Sequence, residues 1–531
     1  MFESDVVQTA FAAAVSSRVL RTTPTQIYRI IRALAAGGGT NPASLLRIAA
    51  ARWPDRAAII DDAGVLSYQQ LLDGAEATSL NMHHRYGIAS GTTVAIMCRN
   101  GRGFVQAVFG AALVGADIVL LNTDFPPSTL ATTLREQKIE VVLGDDEFLS
   151  TLAAAAPAVT VISPTQPAPD TLAPLAPSDR DIQLVILTSG TTGTPKGVPR
   201  QPGPSQVLGV AATILRRTKL RVGDRVVIAV PFFHAFGLGS LFFSVALGAT
   251  MVTRRRFDAE TTLALSSLQR THALMAVPIM LSRILDLPDE VHLRNPTPTM
   301  RVIMSGGAPL DPALATRLLS TYGPVLFNGY GSSEVGIGAV ATPADLARSP
   351  GTVGKPVAGS PLRVLDEHDR IVPPNVTGRI FVGGRLAFDG YSSGDNKAVA
   401  QGMTSTGDMG FVDNFGCLHI VGREDDMIVS GGENVYPQAV ENALAEHADV
   451  LDSAVVGSPD NEFGQRLVAF VVVRKDRKLT EQALRAYLRT AVSRFEQPRD
   501  IHFIDEIPRN PSGKALKRQL SQDILSPNAI D

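Results

Sequence analysis

Apolar residues at the start of the chain recur at helical spacing. A first stripe repeats every four residues across residues 7–19, and a second covers residues 27–34. Because residues three or four apart lie on one face of an α-helix, the pattern predicts two amphipathic helices within residues 1–40. Thr23, followed by Gln26 three residues later, is typical of a capping box and predicts that the second helix begins there.

The second predicted helix carries two arginines, Arg29 and Arg32, beside its apolar stripe. A helix with an apolar face and flanking cations is suited to the surface of an anionic bilayer. The same apolar face is equally suited to packing on the protein's own body. The sequence leaves both interpretations open, so residues 1–40 are predicted as an amphipathic extension, with peripheral membrane contact as one alternative.

From residue 41 onward, predicted helices alternate with short β-branched runs. Runs such as residues 94–97 and 141–143 are typical of buried parallel strands joined by helices. The Ala- and Pro-rich residues 154–178 predict a surface connection, which a strand over residues 183–187 follows. The pattern therefore predicts a doubly wound α/β architecture for this part of the chain.

A second change of pattern falls at residues 423–426. After it, two apolar runs and helix-start signals at Pro437 and Thr480 predict a compact α+β domain of ordinary small-domain size. Four parts are therefore predicted: an extension over residues 1–40, a large domain over residues 41–423, a hinge over residues 424–426 and a small domain over residues 427–531.

Composition narrows the class of protein without identifying a function. The 531 residues are 45% hydrophobic and 19% charged with a formal net charge of −2, which is typical of a soluble α/β protein and gives no general attraction to nucleic acid. The two cysteines, Cys98 and Cys417, lie far apart and lack zinc-ligand spacing. No uncharged apolar run approaches the ~20 residues that span a bilayer, so a cytoplasmic protein is expected.

One loop carries the chemistry of phosphate binding. Directly after the predicted strand over residues 183–187, residues 188–197 have the sequence Thr-Ser-Gly-Thr-Thr-Gly-Thr-Pro-Lys-Gly. Such a run offers backbone N–H groups, hydroxyls and one cation to phosphate oxygens. It is not a Walker A loop, because Gly197 stands where Ser or Thr would follow the lysine. By itself the run indicates phosphate binding, with a plain surface turn as the alternative.

Further short motifs follow this loop along the chain. They are Pro-Phe-Phe-His-Ala-Phe-Gly at residues 231–237, Met-Ser-Gly-Gly-Ala-Pro at 304–309, Asn-Gly-Tyr-Gly-Ser-Ser-Glu at 328–334, Ser-Thr-Gly-Asp at 405–408, Gly-Arg-Glu-Asp-Asp at 422–426 and Pro-Arg-Asn-Pro-Ser-Gly-Lys at 508–514. With the phosphate loop, they resemble the adenylate-forming superfamily of acyl-CoA synthetases, peptide-synthetase adenylation domains and firefly luciferases. The resemblance implies a large N-terminal domain of doubly wound sheets with helices plus a β-barrel-like subdomain, and a small mobile α+β C-terminal domain.

The resemblance implies an ATP site that is spread over several of these motifs. Tyr330 would stack on adenine, Asp408 would accept hydrogen bonds from the ribose hydroxyls, and Arg423 would reach the nucleotide. Glu334 and Thr188 would bind a magnesium ion. The implied ATP-binding residues are Thr188, Ser189, Gly190, Thr191, Thr192, Gly193, Lys196, Gly307, Ala308, Asn328, Gly329, Tyr330, Gly331, Ser333, Asp408 and Arg423.

Two residues are implied to be catalytic. His234 would border the acyl carboxylate, although a histidine among aromatic residues is also typical of a protein core. Lys514 would contact the carboxylate and the α-phosphate together, whereas a Ser-Gly-Lys run without the other motifs would indicate a solvated loop. Asp425 is the implied pivot of the small domain. The other implied residues are Gly431 and Gly432 beside the CoA tunnel, and Phe236, Gly306, Gly329 and Val335 in the acyl pocket.

The implied reaction is ATP-dependent activation of a carboxylic acid to acyl-AMP, followed by transfer to CoA. The partners are therefore the acid, ATP with Mg²⁺, and CoA, without nucleic acid. The apolar residues 236–247 and the small residue Gly306 leave room for an elongated acyl group, so the expected acid is a medium- to long-chain fatty acid. An aryl-CoA ligase and a stand-alone fatty acyl-AMP ligase are the alternatives, and a silent nucleotide-binding scaffold is the alternative outside the enzymes.

Overall fold

The computed structural model describes most of the chain. The described residues are 9–10, 12–19, 21–35, 41–169, 172–173, 175, 178, 180–188, 196–200, 204–332, 335–383, 398–430, 433–460, 464–510 and 513–525. Their helices are α1 (Pro24–Ala35), α2 (Pro42–Arg52), α3 (Tyr68–Tyr86), α4 (Arg102–Val114), α5 (Pro127–Glu136), α6 (Leu149–Ala155), α7 (Pro204–Thr218), α8 (Ala235–Leu247), α9 (Ala259–Leu268), α10 (Pro278–Leu285), α11 (Asp289–Arg294), α12 (Pro312–Tyr322), α13 (Pro343–Arg348), α14 (Pro437–Glu446), α15 (Glu481–Ala491) and α16 (Lys517–Leu525).

The strands form three sheets. They are β1 (Ala57–Asp61), β2 (Gly64–Ser67), β3 (Thr93–Met97), β4 (Asp117–Leu120), β5 (Val141–Gly144), β6 (Thr160–Ile162), β7 (Leu184–Thr188), β8 (Lys196–Arg200), β9 (Arg225–Ile228), β10 (Thr250–Val252), β11 (Ala273–Ala276), β12 (Val302–Gly306), β13 (Leu326–Ser332), β14 (Gly336–Ala341), β15 (Thr352–Pro356), β16 (Leu362–Leu365), β17 (Gly378–Val382), β18 (Val399–Ala400), β19 (Met403–Val412), β20 (Leu418–Arg423), β21 (Ile428–Ser430), β22 (Glu433–Val435), β23 (Val450–Asp460), β24 (Gly464–Val473) and β25 (Asp500–Phe503).

The first sheet of the large domain has the strand order β6-β5-β3-β4-β7-β8. Its strands are parallel except that β7 and β8 form an antiparallel hairpin. Helix α4 is buried along nearly its whole length, because it packs within the apolar core that covers this sheet. The prediction of a surface connection was wrong at β6, since three residues of that stretch pair with β5.

The second sheet has the strand order β16-β17-β19-β20-β15-β14-β13-β12-β11-β9-β10-β1-β2, and β18 pairs with β19. Its strands from β1 and β10 to β13 pair in parallel, whereas those from β13 to β20 pair antiparallel. This antiparallel part corresponds to the predicted barrel-like subdomain and has its own apolar cluster. The α/β fold class with doubly wound parallel strands is therefore confirmed.

The small domain has its own sheet, β22-β21-β24-β23, with β25 added beside β24. Helices α14 and α15 pack on one face, where Val440, Leu444 and Leu484 are buried. The predicted helix-start signals are confirmed: α14 begins at Pro437, and the Thr480 hydroxyl accepts a hydrogen bond from a backbone N–H of α15. Strand β20 of the large domain ends at Arg423, and the small domain begins with β21 at Ile428.

The described part of the N-terminal extension packs on the large domain. The predicted capping box is confirmed, because Thr23 and Gln26 bond each other's backbone N–H groups. The Gln26 side chain also donates to the Arg52 carbonyl at 3.1 Å, and the Val222 amide donates to the Ser17 carbonyl at 3.0 Å. None of the described helices combines the length and the apolar character that a membrane span requires.

Candidate active site

The predicted phosphate loop falls, in the sequence, between strands β7 and β8. Thr188, the last residue of β7, pairs in register with Lys196, the first residue of β8. The sequence places the loop directly after a buried parallel strand, where such strands commonly present ligand sites. The other implied phosphate ligands, Ser189, Gly190, Thr191, Thr192 and Gly193, lie outside the described residues, as do the side chains of Thr188 and Lys196.

Three of the implied acyl-pocket residues meet where the last residue of β12 pairs with the middle of β13. Gly306 and Gly329 are register partners on these parallel strands. A Cβ atom on Gly306 would lie 3.2 Å from the Gly329 carbonyl oxygen and 3.7 Å from the Phe236 ring. Because both glycines lack side chains, the Phe236 ring on α8 packs directly against this strand pair, and the implied acyl pocket that these three residues border is called the slot below.

The implied nucleotide residues Tyr330, Asp408 and Arg423 form a hydrogen-bonded group. The Tyr330 hydroxyl donates to one Asp408 carboxylate oxygen at 2.5 Å, and the Arg423 guanidinium donates to the other at 3.4 Å. The pairing of β19 with β20 produces this arrangement, because Asp408 is the register partner of Arg423. Burial, followed by the charge of Asp408, raises the pKa of the Tyr330 hydroxyl well above its ordinary value, so this hydroxyl stays protonated and donates.

Arg423 also binds the implied pivot residue. Its guanidinium makes a two-point contact with the Asp425 carboxylate, at 2.7 and 3.1 Å. The hydrogen bond to Asp425, and then the charge of Asp408, raises the pKa of Arg423 further above its ordinary value. One arginine therefore links the nucleotide group of the large domain to the segment that connects the two domains.

His234 lies directly before α8 and faces the site as a neutral imidazole. Its Nε2 atom is buried and has no hydrogen-bond partner among the described residues. Burial, and secondarily the positive charge of Lys514, lowers the pKa of His234 to about 4. A buried donor or acceptor without a partner is costly unless a ligand completes it, so the imidazole is available to a bound molecule.

The small domain is docked with Lys514 toward this histidine. The preceding residue, Gly513, has a φ of +81°, and a Cβ atom there would lie 2.9 Å from a methyl group of Ile279 and 3.1 Å from one of Val277. Val277 also lies beside Gly307: a Cβ atom on Gly307 would be 3.6 Å from the other methyl group of Val277. The apolar segment at the start of α10 thus supports the adenine-side loop and the lysine loop together.

Hydrogen bonds within the small domain hold the described residues of the lysine loop. The Asn510 side chain accepts from the Lys514 backbone N–H at 2.9 Å, and Arg509 donates to the Gly513 carbonyl at 2.7 Å. Arg509 is itself fixed by Asp452 on β23, at 2.6 and 3.1 Å. The sequence motif pointed to Lys514 but carried no signal for Val277 or Ile279, which are ordinary apolar residues of an apolar run.

The remaining implied residues are distributed as follows. Val335 is 3% exposed and packs in the apolar cluster of the antiparallel part with Leu362 and Val382, so it contributes to that core. Asn328 is buried and donates to the Thr352 carbonyl at 3.4 Å. Within the described residues, no group of three or more His, Cys, Asp or Glu side chains could hold a metal ion. Ser333, Glu334, Gly431 and Gly432 lie outside the described residues, and Ala308 and Gly331 adjoin Gly307 and Tyr330.

Comparison with known proteins agrees with this geometry. The profile of the AMP-binding enzyme family matches residues 46–392, and that of the AMP-binding enzyme C-terminal domain matches residues 439–514. The chain is 31% identical to the 2-succinylbenzoate–CoA ligase of Bacillus licheniformis, over 88% of this chain and 97% of that protein. It is 30% identical to the Bacillus pumilus enzyme of the same name, over 88% of this chain and 95% of that protein.

Solved structures give the same result. The o-succinylbenzoate CoA synthetase of Bacillus subtilis, in complex with its acyl-adenylate intermediate, matches with a TM-score of 0.78 and 27% identity over 90% of this chain and 97% of that one. The anthranilate CoA ligase AuaEII with anthranoyl-AMP matches with a TM-score of 0.81 and 25% identity over 92% and 98%. Another structure of the Bacillus subtilis enzyme contains ATP and magnesium. The chain therefore belongs to the AMP-binding enzyme family, as an AMP-forming acid–CoA ligase whose cosubstrates are ATP with Mg²⁺ and CoA.

Proposed function

We propose that this ligase activates an aromatic carboxylic acid and transfers the aroyl group to CoA. The observation that carries the proposal is the packing of the Phe236 ring against Gly306, which is in register with Gly329 on the adjacent strand. A flat acyl ring would stack on the side of the Phe236 ring that faces away from these strands, because aromatic rings stack favourably on each other. The similarity to ligases named for 2-succinylbenzoate and anthranilate supports an aromatic acid, whereas it gives no support to the expected fatty acid.

We further propose that the ring carries no second carboxylate within the slot. The segments that contain Phe236, Val277, Gly306 and Gly329 contain no Asp, Glu, Lys or Arg; they are residues 235–247, 273–281, 302–308 and 326–332. His234 is neutral near pH 7, because its pKa is lowered to about 4. A carboxylate buried without a cationic partner costs several kcal/mol, on the order of 2–7 for a polar group and more for a charge. An aromatic monocarboxylate therefore fits these segments better than a dicarboxylate.

In the first half-reaction, a carboxylate oxygen of the acid attacks the α-phosphorus of ATP, and the bond to pyrophosphate breaks. The acid is already ionised, so no general base is needed. His234 orients the carboxylate through a hydrogen bond from its neutral ring, and Lys514 offsets the negative charge shared by the carboxylate and the α-phosphate. Magnesium bound with the triphosphate would neutralise charge on the departing pyrophosphate.

In the second half-reaction, the CoA sulfur attacks the carbonyl carbon of the acyl-adenylate, and AMP leaves. Rotation of the small domain about Asp425 would withdraw Lys514 and bring other residues to the site. Tyr330 and Asp408 both precede this pivot, so their hydrogen bond would hold the nucleotide end of the site during the rotation. The two reactions would then share one nucleotide site and differ in the position of the small domain.

A panel of acids tests the proposal directly. Benzoate, anthranilate, 2-succinylbenzoate, octanoate and palmitate would each be supplied with ATP, Mg²⁺ and CoA, and both acyl-AMP and acyl-CoA would be measured by mass spectrometry. We expect kcat/KM for benzoate or anthranilate to exceed that for the other three by at least about tenfold, which is 1.4 kcal/mol of transition-state discrimination.

The outcomes separate the alternatives. A kcat/KM for palmitate above that for benzoate and anthranilate would contradict an aromatic substrate. A kcat/KM for 2-succinylbenzoate above theirs would contradict a slot without charged residues. Accumulation of acyl-AMP without acyl-CoA would indicate an acyl-AMP ligase. Complete absence of ATP–pyrophosphate exchange with every acid would indicate a silent scaffold.

A matched pair of variants tests the slot itself. Phe236→Leu removes the ring that borders Gly306, whereas Phe242→Leu removes a ring of the same helix that packs on Phe109 in the core, with centroids 5.9 Å apart. Loss of one aromatic stacking contact is worth about 0.5–1.5 kcal/mol. We therefore expect KM for the aromatic acid to rise about two- to tenfold in Phe236→Leu alone. Equal KM values in the two variants would contradict the slot.

A further inference from the structure

The helix α1 of the N-terminal extension presents an uncovered apolar face. Ile27, Tyr28 and Ile31 are 46%, 62% and 59% exposed. On a helical wheel these three residues fall within about 100°, so they form one continuous stripe. On the same wheel the position of Arg32 lies about 40° beyond Tyr28, and the exposed Arg29 lies about 60° further around the helix.

The sequence segment that carries this face contains basic residues and no acidic ones. Residues 6–54 contain arginines at positions 18, 21, 29, 32, 47 and 52 and no Asp or Glu. Val222, whose backbone N–H donates to the Ser17 carbonyl, lies in a segment with two further exposed cations, Lys219 and Arg221. The chain as a whole has a formal net charge of −2, so this basic region is local to the extension and its contact surface.

The described part of the extension is already folded and packed on the large domain. The Arg52 guanidinium donates to the carbonyls of Val19 and Arg21, and Gln26 donates to the Arg52 carbonyl at 3.1 Å. Ser17 is fully buried. Because α1 is already folded and docked, binding through its outer face does not require the helix to form, which removes the main entropic cost of such an interaction.

We propose that the outer face of α1 binds the surface of an anionic lipid bilayer. An apolar stripe beside arginines is the arrangement with which interfacial helices insert side chains among acyl chains while their cations contact anionic headgroups. Positive charge without neighbouring acidic residues in the segment favours an anionic bilayer over a second copy of the chain, in which like charges would face each other. The proposal concerns the extension, which precedes the family match at residue 46, and it does not depend on the identity of the acid.

Co-sedimentation of the full chain with vesicles tests the proposal. Vesicles of phosphatidylcholine with 30% phosphatidylglycerol would be compared with vesicles of phosphatidylcholine alone. We expect binding to the anionic vesicles to be at least about tenfold tighter and to weaken as salt is added. Each arginine near the membrane surface raises the vesicle-binding constant about fivefold, so Arg29→Gln with Arg32→Gln should lower that constant about 25-fold.

Variants of the stripe separate lipid binding from other roles. Ile27→Ser, Tyr28→Ser and Ile31→Ser together should abolish vesicle binding, whereas Leu268→Ser with Leu293→Ser, which removes side chains that are 74% and 81% exposed elsewhere, should leave it unchanged. Thermal unfolding would confirm that each variant is folded. The proposal is overturned if the wild-type protein binds both vesicle types equally, or if the stripe variant binds like the wild type. It is also overturned if light scattering shows a dimer of the full chain that the stripe variant dissociates, because the face would then join two copies.

Discussion

Gly513 provides the sharpest test of how the site is assembled, because its replacement separates docking of the small domain from its stability. In Gly513→Ala, the new methyl group would lie 2.9 Å from Ile279 and 3.1 Å from Val277 in the docked domain. Overpacking by one methyl group costs about 1–3 kcal/mol, and that cost applies only while Lys514 occupies the site. Docking should therefore weaken about 5- to 150-fold, and acid-dependent ATP–pyrophosphate exchange should slow by a similar factor.

A second glycine supplies the control. Gly416, in a surface turn of the large domain, has a φ of +77° and would meet no atom within 4 Å, whereas Gly513 has a φ of +81°. Alanine at a left-handed position costs about 1–2 kcal/mol in either place. Both variants should therefore lose similar thermal stability, but only Gly513→Ala should lose exchange activity. Its conversion of supplied acyl-adenylate to acyl-CoA should stay close to that of the wild type. Equal exchange rates in the two variants would refute the docking contact.

Three further predictions follow from the site. The free energy of unfolding of His234→Gln should depend less on acid than that of the wild type. In the wild type, the pKa of His234 is about 4 in the folded protein and about 6.5 in the unfolded chain, so the contribution of the neutral imidazole is complete above pH 6.5. The wild-type free energy of unfolding should therefore fall by up to about 3 kcal/mol as pH drops to 4, which urea unfolding of both proteins would measure. Tyr330→Phe should raise KM for ATP about ten- to 150-fold, since it removes a hydrogen bond to the Asp408 carboxylate worth about 1.5–3 kcal/mol, and unchanged KM would contradict that role. Lys514→Ala should abolish pyrophosphate exchange while raising the pKa of His234, which NMR titration of the imidazole would detect.

The sequence predicted the elements well wherever a pattern repeats or a cap is chemically specific. The Thr23 capping box and the α15 start at Thr480 are local, so they could be found without the fold. Strand β6 was missed because three residues of an Ala- and Pro-rich stretch carry too short a pattern, and their pairing with β5 is a tertiary fact. Local sequence signals therefore predicted helix starts and long strands, whereas the short strand β6 depends on its tertiary pairing with β5.

The candidate site divides in the same way. The motif order located Asp408 and Arg423, and the strand register between them explains why the two belong together. The hydrogen bond from Tyr330 to Asp408 joins residues 78 positions apart and has no signal in either motif. Val277 could not be predicted as a docking residue, since an apolar residue in an apolar run is indistinguishable from core.

The proposed pivot, Asp425, separates Tyr330 and Asp408 from Lys514 along the chain, so these residues should not affect the same half-reactions. Tyr330 and Asp408 lie before Asp425 in the chain and are joined by strands of the large domain, so a rotation of the small domain leaves them in place. Lys514 lies after Asp425, and the Gly513 position beside it contacts Ile279 and Val277 of the large domain. Under the proposed function, loss of the first pair should therefore slow both half-reactions, whereas loss of the lysine should slow adenylation alone.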